Sequence, residues 1–277
     1  MRPEDAWNQF LKTGAVSDYM QYRKASMLLR HLQDESEDEL ANGDEDKLLT
    51  ILTEDRGVIF AYAKGARRFK NPLAPSTGLL CYSSMILFWN RERYSLDHAD
   101  SIEQFFGLRQ SMEKLALASY FAEVSTVLGP RENDDGQFLK LLLNCLFFLQ
   151  NNRIDQMLLK ALFELRALSI SGFMPDLIAC AGCGCFTADR MFFYPNDGVI
   201  YCENCSTNQK EVHISLTPGA LAAMRHILYS PTEKLFAFTI GLESIHCLND
   251  ASERFLQSQT ERSYQSLEFF HSIVSFG

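Results

Sequence analysis

Leu48-Leu-Thr-Ile-Leu-Thr-Glu-Asp-Arg-Gly57-Val-Ile-Phe-Ala-Tyr-Ala63 reads as two short strands, Leu48–Thr53 and Val58–Ala63, around the turn signal Asp55-Arg56-Gly57. β-Branched, aromatic and apolar residues fill both segments, and no helical period runs through them. The same texture continues in Leu79–Trp89 and Tyr94–Leu96, punctuated by Asn71-Pro72, Pro75 to Gly78 and Asn90-Arg91-Glu92. A further short apolar segment, Ala25 to Leu32, precedes them. Five short strands without intervening helices suit a small closed barrel and not a parallel sheet, whose crossovers need helices.

After residue 106 the period changes. Ile154, Met157, Leu158, Ala161, Leu162 and Leu165 follow helical spacing, and similar stripes run through Met112–Leu128, Phe138–Leu149, Ala220–Leu228 and Phe255–Val274. Leu139 to Phe148 is apolar nearly all round, which predicts a central helix. The expected fold class is α+β. A small closed N-terminal β-barrel over residues 23–105 is followed by an α-helical bundle domain over 106–277, with a four-cysteine zinc ribbon inserted at about 176–210. Residues 1–22 are expected to form a helical extension. Its Trp7-x-x-Phe10-x-x-Thr13-Gly14, followed by Tyr19 and Tyr22, resembles the small YqzL-like family of bacterial proteins.

The inserted ribbon carries Cys180-Ala-Gly-Cys183 and Cys202-Glu-Asn-Cys205. Each Cys-x-x-Cys lets one tight turn present two thiolates, and two such turns complete a tetrahedron about a zinc ion. Four protein ligands leave no position for water, so the expected zinc, one per chain, is structural. Met191–Tyr194 and Gly198–Tyr201 are the expected ribbon strands around Pro195-Asn196-Asp197. Cys185 is a competing ligand displaced from the two-residue geometry, which favours Cys183.

Composition narrows the function classes. The chain has 277 residues, 47% of them apolar, and a formal net charge of −9. It opens Met1-Arg-Pro-Glu-Asp with no secretory pattern, and its longest nearly apolar run, Leu141 to Leu149, is too short for a membrane span. A cytoplasmic protein is expected. No nucleophile elbow, phosphate loop, dinucleotide fingerprint or zinc-protease motif occurs, so no enzyme is expected.

A net anion argues against nucleic acid only if its charge is evenly spread. Here it is not. Residues 34–46 hold eight acids and no base, whereas residues 47–95 hold eight bases against three acids. The acidic run is expected to be a solvated loop between the first two strands; a shield over the basic face is the alternative. The densest basic stretch, Lys64-Gly-Ala-Arg67-Arg68-Phe-Lys70, adjoins the strand Val58–Ala63. Alternation puts Phe60, Tyr62 and Lys64 on one face of that strand. A flexible glycine loop bearing guanidinium groups can track phosphates, and neighbouring aromatics can stack on bases. The competing reading has Phe60 and Tyr62 filling the barrel.

Leu48 to Gly57 with Ala63-Lys64-Gly65-Ala66-Arg67-Arg68 resembles the N-terminal domain of the bacterial RecO family of recombination and repair proteins. Gly172-Phe-Met-Pro175-Asp-Leu-Ile-Ala-Cys180-x-x-Cys183-Gly184, Gly198-x-x-x-Cys202-x-x-Cys205 and the late Ser266-Leu267 are similar to that family's zinc region and closing motif. The resemblance covers residues 23–277; the acidic run and the N-terminal extension depart from it.

The resemblance implies an N-terminal OB-fold β-barrel followed by a helical domain with a zinc module, binding of single- and double-stranded DNA and annealing of complementary strands. It also implies that, with RecR, such a protein helps load RecA onto DNA coated by single-strand-binding protein, whose C-terminal tail docks on the helical domain, in a nucleoid-associated setting. Expected DNA contacts are Lys64, Arg67, Arg68 and Lys70, with Lys47, Arg91, Arg93 and Tyr62 beside them; expected metal ligands are Cys180, Cys183, Cys202 and Cys205. The rival readings are a zinc-ribbon interaction scaffold that binds no nucleic acid and a zinc-dependent processing enzyme, the latter disfavoured by the closed cysteine set.

Overall fold

The protein is described from a computed structural model, covering residues 25–31, 46–68, 71–90, 93–131, 135–207 and 209–275. The N-terminal extension, the acidic run up to residue 45, Lys70 and Arg91 lie outside the described residues.

Five strands, β1 (Ala25–His31), β2 (Lys47–Thr53), β3 (Gly57–Ala63), β4 (Tyr82–Asn90) and β5 (Arg93–Glu103), close into a barrel of order β1-β2-β3-β5-β4. All pairings are antiparallel except β3 with β5, and β1 completes the ring against β4. A five-stranded barrel with this mixed closure is the oligonucleotide-binding architecture. Alternation decides what lies inside. Leu49 and Ile51 of β2, Ile59, Ala61 and Ala63 of β3, Met85 of β4, and Leu96 and Ala99 of β5 form the core, with Ala66 and Leu73 from the following loop. The competing placement of Phe60 inside the barrel does not occur: Phe60 is 46% exposed, whereas Ala61 and Ala63 on either side of Tyr62 are fully buried.

Two strand boundaries differ from the sequence expectation. The segment expected from Leu79 begins at Tyr82, because residues 72–80 run as consecutive turns, with Leu80 in the left-handed region at φ 59°. The strand expected over Tyr94–Leu96 continues to Glu103 despite Asp97, His98 and Asp100, because β4 offers a long antiparallel partner and an irregularity at Ile86/Leu87 absorbs the change of register.

Helix α1 (Met112–Leu128) starts at Ser111, whose hydroxyl accepts from the Lys114 N–H, and α2 (Gln137–Gln150) is apolar nearly all round and buried, as its sequence predicts. The residues of both helices belong to the same compact unit as the barrel, together with residues from Tyr264 onward. Compactness therefore does not follow the change of period near 106. The seam between barrel and α1 is tight at Gly57. Gly57 has φ +63°, a Cβ on it would lie 1.9 Å from the Pro130 carbonyl oxygen, and the adjacent Val58 N–H donates to that same oxygen at 2.7 Å.

The second compact unit, residues 152–263, holds α3 (Gln156–Ile170), the ribbon strands β6 (Met191–Tyr194) and β7 (Val199–Cys202), the one-turn α4 (Glu203–Ser206), β8 (Ile214–Leu216), α5 (Pro218–Tyr229) and α6 (Leu242–Thr260). The hairpin was expected from sequence; β8, pairing with β6, was not, since three residues carry no periodic signal. The single C-terminal helix expected over Phe255–Val274 is two. α6 begins at Leu242 and ends where Glu261 turns left-handed at φ 52°; α7 (Gln265–Ser275) then returns to the barrel unit. Neither Gly nor Pro marks the break. It is held by tertiary contacts: the Ser266 backbone N–H and hydroxyl donate to the Glu123 carboxylate of α1, and Tyr264 meets Tyr120 edge to face at 5.7 Å. Among the described residues no helix is long and apolar enough to cross a membrane.

A polar network is sealed between α3 and α6. Lys160, fully buried, reaches Glu164 Oε1 and Glu253 Oε2, each at 2.8 Å, and Asn249 Oδ1 at 3.1 Å. Glu164, also fully buried, accepts from the Ser252 hydroxyl at 2.5 Å. Removing one member of such a pair strands a buried charge, at a cost of about 3–5 kcal/mol. Lys160→Met should lower urea stability by that order, and Lys160→Met with Glu164→Leu should recover most of the loss. In the other unit, Gly57→Ala combines backbone strain with a clash against a carbonyl that cannot rotate away, and should cost about 2 kcal/mol or more. Urea unfolding followed by circular dichroism checks both expectations.

Candidate nucleic-acid interface and metal centre

Residues 64–68 of the basic loop leave β3 as a hydrogen-bonded turn. Gly65 sits at φ +64°, and its N–H donates to Asp46 Oδ1 at 2.7 Å. Asn71 closes the turn from the other side: its amide donates to the Gly65 carbonyl at 2.7 Å, and its own oxygen accepts from the Leu73 N–H at 2.8 Å. Between these clamps the Arg68 N–H donates to the Gly65 carbonyl and the Asn71 N–H to the Arg68 carbonyl, both at 3.0 Å. Ala66 points inward and is buried, so Lys64, Arg67 and Arg68 are turned to solvent. The last residue of the acidic run thus shapes the basic turn.

Lys47 lies opposite Ala63 on the neighbouring strand. Burial, and after it the adjacent Arg67 guanidinium, lowers the Lys47 ammonium below its ordinary value. Lys47 and Arg67 are thus like charges near enough to feel one another. Lys47, Lys64, Arg67 and Arg68 therefore gather at the C-terminal end of β3. Arg93 does not join them there. It begins β5 one residue before Tyr94, the partner of Ala61, and its guanidinium lies over the Tyr62 ring, 5.1 Å from the centroid. Tyr62, half-buried and facing outward, stands between Arg93 and Lys64. Sequence reasoning passed over Arg56, a turn residue with no periodic signal. Its guanidinium donates to the Tyr94 hydroxyl at 2.7 Å, which extends the cationic line to the opposite end of the strand.

The metal centre is assembled from two local turns. In the first, the Gly184 N–H donates to the Cys180 carbonyl at 2.8 Å with Gly184 at φ +74°, and the Cys180 N–H donates to the Cys185 carbonyl at 2.9 Å. The second is the passage from β7 into α4, with Cys202 ending the strand and Cys205 in the helical turn. The Ala181 N–H donates to the Ile200 carbonyl at 2.8 Å and locks the first turn against the hairpin. Gly182 admits the close approach: a Cβ there would lie 2.9 Å from Cys205 Sγ.

As a result the sulfurs of Cys180, Cys183, Cys202 and Cys205 all lie within 4.8 Å of one another, and this is the group of potential metal ligands found among the described residues. Cys183 and Cys202 sulfurs are 3.7 Å apart. A tetrahedron with bonds of 2.3 Å has edges of about 3.8 Å, so the donor set fits a thiophilic tetrahedral ion. Burial opposes ionisation of Cys180, yet N–H groups of Cys202, Cys183 and Gly182 donate to its sulfur and bring the thiol down to about 6. The Cys202 donor lies at 3.3 Å. Cys202 is likewise lowered, first by the Cys205 backbone N–H. Cys185 stands outside the group; its thiol is pushed up to about 12, but so is that of Cys205 within the group, so geometry alone separates the two. The competing ligand is thus set aside.

Comparisons with known proteins identify the family. Residues 39–105 match the family described as Recombination protein O N terminal, and residues 109–268 match Recombination protein O C terminal. The DNA repair protein RecO of Acetivibrio thermocellus is 30% identical over 235 residues, which cover 85% of this chain and 93% of that protein. That of Symbiobacterium thermophilum is 31% identical over 236 residues, 84% of this chain and 92% of the relative. That of Dehalococcoides mccartyi is 28% identical over 232 residues, 83% and 90% of the two chains. Strands β2 to β5, the helices from α1 to the start of α7 and the four clustered cysteines lie inside the matched segments, and the chain belongs to the RecO family of recombination proteins.

Proposed function

We propose that this chain is a non-enzymatic mediator of DNA repair and homologous recombination, whose barrel binds single- and double-stranded DNA through phosphates and anneals complementary strands. The observation that carries the reading is the crowding of Lys47, Lys64, Arg67 and Arg68 at one end of β3, on a turn whose backbone is clamped by Asp46 and Asn71. Pre-ordered like charges have already met their mutual repulsion in the free protein, so an anionic backbone relieves it without first ordering the loop. Annealing needs no bond chemistry. It needs two anionic strands held together with their repulsion neutralised. The partner set implied by family resemblance completes the proposal: with RecR, the chain helps load RecA onto DNA covered by single-strand-binding protein, in the cytoplasm at the nucleoid. Lys70 and Arg91 are proposed as further phosphate contacts on sequence grounds.

The cysteine centre is proposed to hold one structural zinc per chain. A zinc ion at Cys180, Cys183, Cys202 and Cys205 would neutralise thiolates held at close quarters, and the closed set leaves no position for an activated water. The four residues would then hold the first turn, the β6–β7 hairpin and α4 as one rigid piece.

Fluorescence polarisation of a labelled oligonucleotide should show affinity falling with salt at a log–log slope of about −3 to −5, equivalent to four to six phosphates. Arg67→Glu with Arg68→Glu should abolish most of that binding at low salt, whereas unchanged affinity would favour a scaffold that binds no nucleic acid. Elemental analysis of reduced protein should return close to one zinc per chain. Cys180→Ser should lower zinc content and the melting temperature of the ribbon unit together, since thiolate sites contribute on the order of 10 kcal/mol. Unaltered melting would exclude a structural role.

A further inference from the structure

We propose that Cys183 and Cys185 form a peroxide-sensitive modification site, where a reversible disulfide withdraws Cys183 from the metal; this rests on the zinc reading above. Cys180, Cys183, Cys185, Cys202 and Cys205 meet in one region of the ribbon unit, and a tetrahedral ion takes only four of them. Cys185 is left over but not remote. Its side chain shares hydrogen bonds with those of Cys183 and Cys202, although it lies outside the set whose sulfurs are all within 4.8 Å of one another. A sulfur kept beside two ligands without joining their tetrahedron is placed for exchange and not for coordination.

Exposure selects the ligand that reacts. Cys180 and Cys202 are buried, and the Cys202 N–H donates to the Cys180 sulfur at 3.3 Å. Cys205 is half-buried, with Gly182 against its sulfur, whereas Cys183 is exposed. Gly184, between Cys183 and Cys185, has φ +74°, and nothing lies within 4 Å of where its Cβ would stand. Water and a small solute such as hydrogen peroxide therefore reach the segment that carries both sulfurs. Chain geometry permits the bridge. Cα atoms two residues apart are separated by at most about 7 Å, close to the upper limit that a disulfide spans. Glycine in the middle lets the backbone make the small adjustment.

The chemistry balances with a peroxide as the oxidant. The Cys183 thiolate attacks one oxygen of hydrogen peroxide, the O–O bond breaks, and the hydroxide that leaves takes a proton from solvent. Cys183 is thereby oxidised to the sulfenic acid. The Cys185 sulfur then attacks the Cys183 sulfur, the S–O bond breaks, and the departing hydroxide combines with the Cys185 proton. One disulfide and two waters result, and the peroxide takes up the two electrons that the sulfurs give. Cys185 is the suited attacker because its lone pair is not engaged by a metal. Once bridged, Cys183 is no longer a thiolate, and three cysteines hold the ion less firmly. A dithiol reductant restores both thiols by exchange, but a sulfenic acid left without a partner proceeds to sulfinic acid, which such reductants do not reverse.

The test treats the full-length reduced protein with limiting hydrogen peroxide, follows zinc release with a chromogenic chelator, and then alkylates remaining thiols in denaturant. Tandem mass spectrometry of the tryptic peptide 167–190 should show Cys183 and Cys185 protected together while Cys180 stays alkylated. Alkylated Cys185, with Cys183 joined to Cys180, Cys202 or Cys205, would overturn the proposal. Cys185→Ser keeps the four clustered cysteines, so it should hold close to one zinc per chain and melt as the wild type does. After peroxide and then dithiothreitol, it should take back less than about half the zinc that the wild type recovers, with Cys183 carrying two added oxygens. Equal recovery would overturn the resolving role. So would loss of zinc from untreated Cys185→Ser, since Cys185 would then be a ligand. Failure of the zinc reading has its own signature: neither reduced protein would contain zinc, and the alkylation pattern alone would then decide whether Cys183 pairs with Cys185.

Discussion

Closure of a five-stranded barrel around a narrow interior is the constraint from which the rest of the nucleic-acid face follows. β3 can close against both β2 and β5 because its inward positions beyond Ile59 are Ala61 and Ala63, with Ala66 and Ala99 filling the space beside them. Larger inward side chains would push the strands apart. Once those alanines face in, the period of two leaves no freedom: Phe60, Tyr62 and Lys64 must face out. The aromatic and cationic line is thus the geometric complement of the alanine-lined core. Replacing Ala61 by a bulky residue would disturb the outer face as much as the inner one.

Electrostatics adds a second layer. The formal charge of −9 averages an acidic run, a cationic barrel region and acidic helices. Screening limits each group's influence to about 8–10 Å in physiological salt, so a ligand at the β3 turn responds to Lys47, Lys64, Arg67 and Arg68 and not to the total. Asp46 belongs to the acidic run by sequence but serves the basic turn by structure, spending its carboxylate on the Gly65 N–H. The cysteine centre follows similar logic. Two thiols brought down by N–H donors sit beside two others, an arrangement in which a bound cation removes repulsion that protonation would otherwise have to relieve.

Much of this was legible along the chain because the signals were local. The Cys-x-x-Cys pairs announced the metal centre, since each pair needs only its own turn. Alternation announced β2 and β3, and helical spacing announced α1 almost residue for residue. The failures share one cause. β8 is too short to carry a period, β5 runs on through charged residues because β4 supports it, and the break between α6 and α7 lacks Gly or Pro because Glu123 and Tyr120, far away in sequence, hold it. Arg56 escaped notice because nothing in a turn tripeptide says where its guanidinium will land.

Sequence by itself therefore determined the class of fold, the identity of the four clustered cysteines and the location of the cationic segment. Each depends on neighbours within a few residues, where backbone geometry leaves little choice. Only the tertiary structure decided that Asp46 and Asn71 hydrogen-bond the backbone at Gly65, that Arg93 stacks on Tyr62, and that Phe60 and Phe88 come to one face with Ser95 between them. Those facts depend on register between strands distant in sequence, and register is set by barrel closure, which no single segment encodes.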